Sequence, residues 1–309
     1  MKVSVLIITY NHEKFIAQAL DSALMQKTSF DYEIVIGEDC SSDQTRKIVR
    51  QYHQKYPDKI RVLLPAQNLG MLKNFVNTFR ACKGQYIALL EGDDYWTAPD
   101  KLQKQADFLD SHLECSTCFH NVNVIYSSSS QKSHPFHRNQ LKKYFTLRDI
   151  VSKHFIPTCS TMFRSGLFKD FPEWYYALSM GDWPLHVLNA EHGTAGYINE
   201  LMGTYRVHEG GQWSLTGRIT ILKNTIHAAT TIDQYLEHKF HTNLNNLIAA
   251  CHCEIATILF HEKQYKGASF HAHQARMLAQ PYNIVVKALA MKIILETALF
   301  KFIDPNTYR

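Results

Sequence analysis

Three carboxylates fall within four residues at Glu91-Gly92-Asp93-Asp94, directly after the apolar run Tyr86-Ile87-Ala88-Leu89-Leu90 and ahead of Tyr95-Trp96. Carboxylates crowded at a strand's end repel one another, and a cation relieves the repulsion. Oxygen donors suit Mg²⁺ or Mn²⁺, hard ions that take one or two protein carboxylates and complete their shells with water and substrate phosphates. The pattern predicts a metal and diphosphate site, against the plain alternative of a solvated acidic turn that caps the helix beginning at Pro99-Asp100-Lys101-Leu102. Cys115 and Cys118, with His120 beyond, have the start of a zinc knuckle. No second Cys-x-x-Cys answers them, and Cys251-His252-Cys253 is too cramped to complete a tetrahedral set, so they read as thiols at the start of a strand.

The elements that must position this turn are legible from periodicity. The run Val3 to Ile8 reads as a buried strand, followed by a helix whose Phe15, Ile16, Ala19, Leu20, Ala23 and Leu24 repeat at helical spacing. Tyr32 to Ile36 is the next strand. Ser41-Ser42-Asp43-Gln44 has the form of a capping box opening a helix with Ile48, Val49, Tyr52 and Tyr56 on its inner face, closed by Pro57. A strand over 60–64, a helix over 71–82 and a strand over 85–90 complete a βαβαβαβ order, which calls for an α/β doubly wound sheet. Such sheets bind ligands beyond the carboxyl ends of their strands, where Thr9-Tyr10-Asn11, Glu38-Asp39 and the acidic tetrad gather.

Beyond these units the signal thins. The stretch 127–143 is Ser-rich, then His- and basic-rich, without strand or helical period, and reads as a surface excursion. From residue 218 the composition turns helical, with helices expected over 219–240, 245–260, 268–278 and 284–303. The pair over 245–281 resembles one tetratricopeptide unit, and since a single unit cannot bury its own face it must pack within a small bundle.

Composition excludes several classes. The 309 residues are 45% hydrophobic and 20% charged, enough to bury a core, and the formal charge of +5 is too small for a dedicated nucleic-acid binder. Seven cysteines, an odd number, fit reduced thiols. The first apolar run is too short for a signal peptide, and Lys287, Lys292, Glu296 and Lys301 interrupt the last one. No glycine follows the first strand as a dinucleotide fold needs, and no P-loop occurs. A sugar nucleotidyltransferase is disfavoured for lack of a glycine-rich loop near the amino terminus.

Four ordered segments, "VSVLIITYNHEKFI", "EIVIGEDCSSDQT", "NLGMLKN" and "YIALLEGDDYWTAPDKL", resemble the family 2 glycosyltransferases of the GT-A fold over roughly residues 2–214. The resemblance implies transfer of a sugar from a nucleotide diphosphate to an acceptor. It puts Asp39 at the base-recognition position for uracil or thymine, with Tyr10 offering an apolar face and Thr9 and Asn11 offering hydrogen bonds. It extends nucleotide binding to Glu38, Asn68, Gly70 and Asn74. It places Glu91 at the first position of the DxD segment, toward the ribose or a metal-bound water, with Asp93 also on the nucleotide side and Asp93 and Asp94 as metal contacts. Departures are Glu38 and Glu91 where Asp is usual, and Cys40 where Gly is usual.

Further on, "MGDWPLHVLNAEHG" resembles the acceptor-side segment, with Gly181 replacing a Glu and Asp182 as the implied catalytic base. The plain reading of Asp182 is a cap for the helix over 184–190, and the two roles are compatible. "GYINELMGTYRVHEGGQWS" resembles the segment that closes over the diphosphate, placing His208 on metal or pyrophosphate and Arg206 on phosphate or structural carboxylates, with Trp213 either sealing the loop or stacking on a sugar. "IPTCSTMFR" reads as a strand over 159–163, with Arg164 available to an anionic acceptor.

The expected organisation is a GT-A domain over 1–217, with a nucleotide half 1–98 and an acceptor half 99–217, then a helical domain over 218–309. The activity that the resemblance implies is a metal-dependent, inverting transfer with Mn²⁺ or Mg²⁺, from a nucleotide-sugar donor, expected to be a UDP-sugar, to a glycan or lipid-linked acceptor in surface polysaccharide synthesis. The competing expectation is a catalytically weak nucleotide-sugar-binding or scaffolding protein working through its helical region. The chain is expected in the cytoplasm, with peripheral membrane contact and self-association through the last helices as further expectations, and with no nucleic-acid partner.

Overall fold

The amino-terminal apolar run forms strand β1 (Val3–Thr9), buried on both faces as a parallel strand sandwiched between helices must be. The order continues α1 (Ile16–Leu24), β2 (Tyr32–Glu38), α2 (Thr45–Lys55), β3 (Ile60–Leu63), α3 (Met71–Ala81), β4 (Tyr86–Glu91), β5 (Tyr95–Trp96), α4 (Lys101–Ser111), β6 (Cys115–Tyr126), β7 (His134–Pro135) and β8 (Tyr144–Phe145). Then come α5 (Leu147–Ser152), β9 (Met162–Arg164), α6 (Asp182–Ala190), β10 (Thr194–Val207), α7 (Arg218–Tyr235), α8 (His241–His261), α9 (Tyr265–Leu278) and α10 (Ile284–Ile303). This computed structural model describes residues 1–127, 131–211, 216–280 and 283–303.

The strands form one sheet in the order β3-β2-β1-β4-β9-β6-β10-β5, with β7 beside β6 and β8 beside β10. The first four are parallel, as the sequence predicts, and β9 enters antiparallel to both β4 and β6. Register fixes which strand ends meet. Ile8 pairs with Glu91 and Thr9 with Glu38, so the polar ends of β1, β2 and β4 form one row. The last turn of the sheet is made by β10, parallel to β6 and antiparallel to the two residues of β5, with Gly203 opposite Trp96 and Thr204 opposite Tyr95.

Three local expectations change. The Ser41–Gln44 capping box does not form, since α2 starts at Thr45 without a side-chain cap from Gln44. Those residues instead bind the turn after β1, with the Asn11 amide donating to Ser41 Oγ, the Ser42 amide to Asn11 Oδ1 and the His12 amide to Thr45 Oγ1. The strand expected over 159–163 is a 3₁₀ turn at Thr158–Ser160 followed by β9. The excursion over 127–143 contains the short β7, held by pairing with β6 rather than by any periodicity of its own.

The chain folds as two compact units, one over 1–150, 155–177 and 181–215, the other over 151–154, 178–180 and 216–309. The first buries Val5, Ile7, Ile34, Ile36, Ala88 and Leu90 from its strands against the helices. The second packs α7 to α10 around small side chains, Ala256, Ala268, Ala272, Ala275 and Ala290, which let helix axes approach closely. Along α10, Ile284, Val285, Leu295 and Leu299 are exposed. Among the described residues no helix is long and apolar enough to cross a membrane. All seven cysteines are unpaired.

One buried charge stands apart from the site. Lys101, at the start of α4, is 0% exposed, and its Nζ has no hydrogen-bond partner and sits 3.7 Å from the centroid of the Trp96 ring. Burial pushes its ammonium down from the ordinary 10.5 to about 7. Between those values the unfolded chain binds a proton that the folded chain does not, so this residue lowers stability progressively as pH falls from 10.5 toward 7. Lys101→Met should raise stability by on the order of 3–4 kcal/mol at neutral pH, with the gain fading toward pH 10, as chemical denaturation across that range would measure.

Candidate functional site

The row of strand ends set by the β1 register is extended by the tight turn after β4, closed by the Asp94 amide donating to the Glu91 carbonyl at 3.1 Å. At its centre stands Gly92, where a methyl group would lie 2.5 Å from Thr9 Oγ1 and 2.9 Å from His12 Nδ1. The residue between Glu91 and Asp93 is therefore glycine for lack of space, and the absent side chain is what lets β1 and β4 bring their polar ends together.

The three carboxylates of the turn meet different fates. Glu91 has an oxygen, Oε2, that is buried without a partner, and its carboxyl is raised well above the usual range by burial and by the charges of Asp94, Asp93 and Asp182. Asp94 is 2% exposed, accepts the Arg206 amide at 2.8 Å, and is likewise raised by burial and by Asp93. Asp93 is the exception. Burial works to raise it, but His208 and His12 outweigh that and hold it below the ordinary carboxylate range. His208 Nε2 lies 3.0 Å from Asp93 Oδ2.

The β5–β10 ladder explains how residues more than a hundred positions apart meet. With Thr204 opposite Tyr95, the antiparallel register carries Arg206 past Asp93 and Asp94 and delivers His208 to the turn. Arg206 Nε donates to the Asp93 carbonyl at 2.8 Å and a terminal nitrogen to Gln18 Oε1 at 2.7 Å, while its guanidinium lies over the rings of Phe15 and Tyr95. The Arg206 guanidinium is thus engaged by a backbone carbonyl and an amide oxygen. His208 packs on Phe15 with ring centroids 4.4 Å apart. Trp213 lies outside the described residues.

The nucleotide-side residues divide into a surface set and a buried set. Tyr10 is 46% exposed at the strand edge, Asn11 holds Ser42 from a left-handed backbone at φ 55°, and Thr9 is buried beneath them. Asp39 is itself buried, 2% exposed; it accepts the amides of Leu69 and Gly70, and the exposed Asn68 donates to the Asp39 carbonyl, so these residues form one turn beside Tyr10's strand. Glu38 and Asn74 do not join the exposed edge. Glu38 is fully buried, ion-paired with Arg46 and accepting the Ser41 amide, and Asn74 is buried with its amide on the Gly37 carbonyl. Both hold loops from behind, which corrects their expected contact with nucleotide. Cys40, in the place of a family glycine, adopts the left-handed φ of 60° that a glycine takes without strain.

Asp182 is the first residue of α6, at the end of a helix where free amides favour negative charge. Its Oδ2 accepts Thr158 Oγ1 at 3.2 Å and its Oδ1 the Trp183 amide at 2.8 Å, so both oxygens are oriented. The cap expected of it is not made in the usual way, since Gly181 holds the cap position. Gly181 packs so tightly that a methyl group would lie 2.8 Å from Leu72 Cδ2 and from Tyr175 Oη, which leaves no room for the family's glutamate. Arg164 faces inward, donating to the carbonyls of Cys115, Leu109 and His112, which corrects its expected contact with an acceptor. Two residues that the sequence does not single out belong to the site. Thr158 orients Asp182, and His12 faces Asp93, with its imidazole lowered by burial against the opposing pull of Asp93. For His12 the available signal is its place two residues after Tyr10.

With this geometry in place, comparison with known proteins is direct. The profile of glycosyl transferase family 2 matches residues 4–173. The chain belongs to glycosyl transferase family 2. An uncharacterized protein of Mycobacterium tuberculosis is 37% identical over 212 residues, which are 68% of this chain and 60% of that relative's length. Poly(ribitol-phosphate) beta-N-acetylglucosaminyltransferase TarS of Staphylococcus aureus is 36% identical over 115 residues, 36% of this chain and 19% of that one. The crystal structure of TarS residues 1–349 in complex with UDP-GlcNAc superposes with TM-score 0.65 at 20% identity, covering 97% of this chain and 91% of the other. The mannosyltransferase PcManGT from Pyrobaculum calidifontis, in complex with GDP-Man and Mn²⁺, gives TM-score 0.56 at 16% identity, covering 97% and 87%. The fold is the α/β one expected, a mostly parallel sheet with a helical carboxyl-terminal region.

The fit around Gly181 is testable. Gly181→Ala should cost about 1–3 kcal/mol of stability, and because the strain falls on the residue before Asp182, turnover should drop further than the melting temperature alone accounts for.

Proposed function

We propose that the chain is an inverting glycosyltransferase that moves a sugar from a nucleoside-diphosphate donor, uridine diphosphate by preference, to a hydroxyl of a glycan or lipid-linked acceptor. The observation that carries this reading is the acidic turn itself, with Asp93 held 3.0 Å from His208 and Glu91 Oε2 buried without a partner, in a chain whose acceptor-side segment presents an oriented carboxylate, Asp182, at the start of α6. The TarS structure with UDP-GlcNAc and the PcManGT structure with GDP-Man and Mn²⁺ support donors of this kind.

In this mechanism Asp182 removes the acceptor hydroxyl proton as that oxygen attacks the anomeric carbon from the face opposite the diphosphate. The anomeric C–O bond breaks, and its electron pair leaves with the diphosphate. Thr158 and the Trp183 amide hold the base in position. On the donor side, the exposed Tyr10 ring offers a platform for the base. Each Asp39 oxygen accepts one backbone amide and keeps capacity for the imide N–H of uracil.

The residues at the turn fit a dication. Asp93 and His208 offer donor atoms 3.0 Å apart, and the buried, unpartnered Oε2 of Glu91 is an acceptor awaiting a hydrogen bond from a ligated water or a ribose. Held by Asp93 and His208, such an ion would supply positive charge beside the departing diphosphate. For Nε2 of His208 to serve as a ligand, Nδ1 must carry the ring proton, so the Gly210 amide that donates to Nδ1 at 3.2 Å must turn away.

Asp182→Asn should retain donor binding by calorimetry while turnover falls roughly 10²–10⁴-fold. Near-normal transfer by that variant would remove Asp182 from the role. In a panel of UDP-, dTDP- and GDP-sugars with Mn²⁺, slow hydrolysis and binding should favour the first two, and equal binding of GDP-sugars would refute the uridine preference.

A further inference from the structure

His12 is an imidazole without a hydrogen bond. Its Nδ1 is buried and unpartnered against Gly92, and its Nε2 faces Asp93 Oδ2 at 3.7 Å, beyond hydrogen-bond reach. That same oxygen is the one His208 approaches from its own side at 3.0 Å, and the two imidazole rings meet edge to face with centroids 6.1 Å apart. One donor atom from each of His12, Asp93 and His208 lies within 4.8 Å of the other two. Clustered donor atoms of this kind, a carboxylate oxygen between two imidazoles, one of which lies too far from it to hydrogen-bond, are the arrangement that a shared ion would draw together.

The separations have the scale of a shared ion. Donors bound to one first-row dication at about 2.0–2.2 Å are roughly 3–3.5 Å from one another, so small side-chain adjustments bring the three atoms into range. We infer that His12 is a third protein ligand of the dication, completing a two-histidine, one-carboxylate set with Asp93 and His208. This rests on the proposed role of Asp93 and His208 as metal ligands and adds a residue from the opposite side of the turn. Unlike His208, His12 gives up no hydrogen bond when its Nε2 lone pair turns to an ion.

Two consequences follow from the donor types and from where His12 sits. Two imidazoles favour Mn²⁺ and its first-row neighbours over Mg²⁺, which prefers oxygen and keeps most of its water. The backbone of His12 is fixed by Thr45 Oγ1 at 2.8 Å and continues the turn that carries Tyr10 and Asn11, so the ion and the nucleotide platform are tied to one short segment.

The test needs no turnover. Full-length protein is titrated with Mn²⁺, free ion is followed by electron paramagnetic resonance, and the bound ion is examined by spin-echo modulation, which counts coordinated imidazole nitrogens. Wild-type protein should show two imidazoles and a clear preference for Mn²⁺ in competition with Mg²⁺. His12→Ala, and His12→Gln as a variant that keeps side-chain bulk and matches the wild-type melting temperature, should show one. Both should bind Mn²⁺ at least about tenfold more weakly, with Mg²⁺ binding changed far less. Two imidazoles or unchanged Mn²⁺ affinity in both His12 variants would overturn the inference. Asp93→Asn separates the layers: if it loses Mn²⁺ while the His12 variants do not, the proposed site stands without His12, and if it retains Mn²⁺ unchanged, both readings fall.

Discussion

Everything at this site depends on how the protein tolerates negative charges pressed together at the end of β4. Glu91, Asp93 and Asp94 are within a few residues and in low-dielectric surroundings, where repulsion between like charges is strong. The fold answers each one separately. Asp94 is pinned by a backbone amide, Asp93 is matched by imidazoles, and Glu91 is left raised and unpaired. A turn treated this way is poised for an incoming cation, and the proposed chemistry follows from that unequal treatment more than from the number of acids.

The compensating groups arrive from far along the chain. Arg206 and His208 come from β10 and the residue just past it, and Gln18 and Phe15 come from α1 and the turn before it, so the acidic turn is braced both by a strand of the sheet and by the first helix. Asp182, at the start of α6, is oriented by Thr158 in the 3₁₀ turn before β9. Asp182 and the acidic turn thus have separate hydrogen-bond partners within the unit.

How much of this is legible in the sequence follows from the range over which each signal acts. The units from β1 to β4 announce themselves because buried parallel strands are unbroken apolar runs and their covering helices keep one apolar face. The strand-end clusters and Asp182 are visible that way or by resemblance. Strands β5 and β7 are not, and β9 only in part, since two or three residues held by pairing with other strands carry no periodicity of their own. The Ser41–Gln44 segment has the letters of a capping box but binds the turn at Asn11–Glu13 instead, because tertiary partners outcompete the local cap. Glu38, Asn74 and Arg164 have types that invite a ligand, and only burial shows that backbone groups and Arg46 already engage them. His12 is invisible for the opposite reason: its meaning lies in what it fails to bond.

The ladder between β5 and β10 is only two rungs long, yet it sets the phase of everything after it. Thr204, Arg206 and His208 alternate onto one face because side chains in a strand repeat every two residues. Deleting or adding a single residue between Thr204 and His208 would rotate the imidazole to the far face of the sheet, whereas the long connections between Trp96 and Gly203 can lengthen or shorten without changing that parity. Changes of length should therefore be better tolerated in the loops that join the elements between β5 and β10 than between Thr204 and His208, where the four-residue spacing delivers the imidazole to the turn.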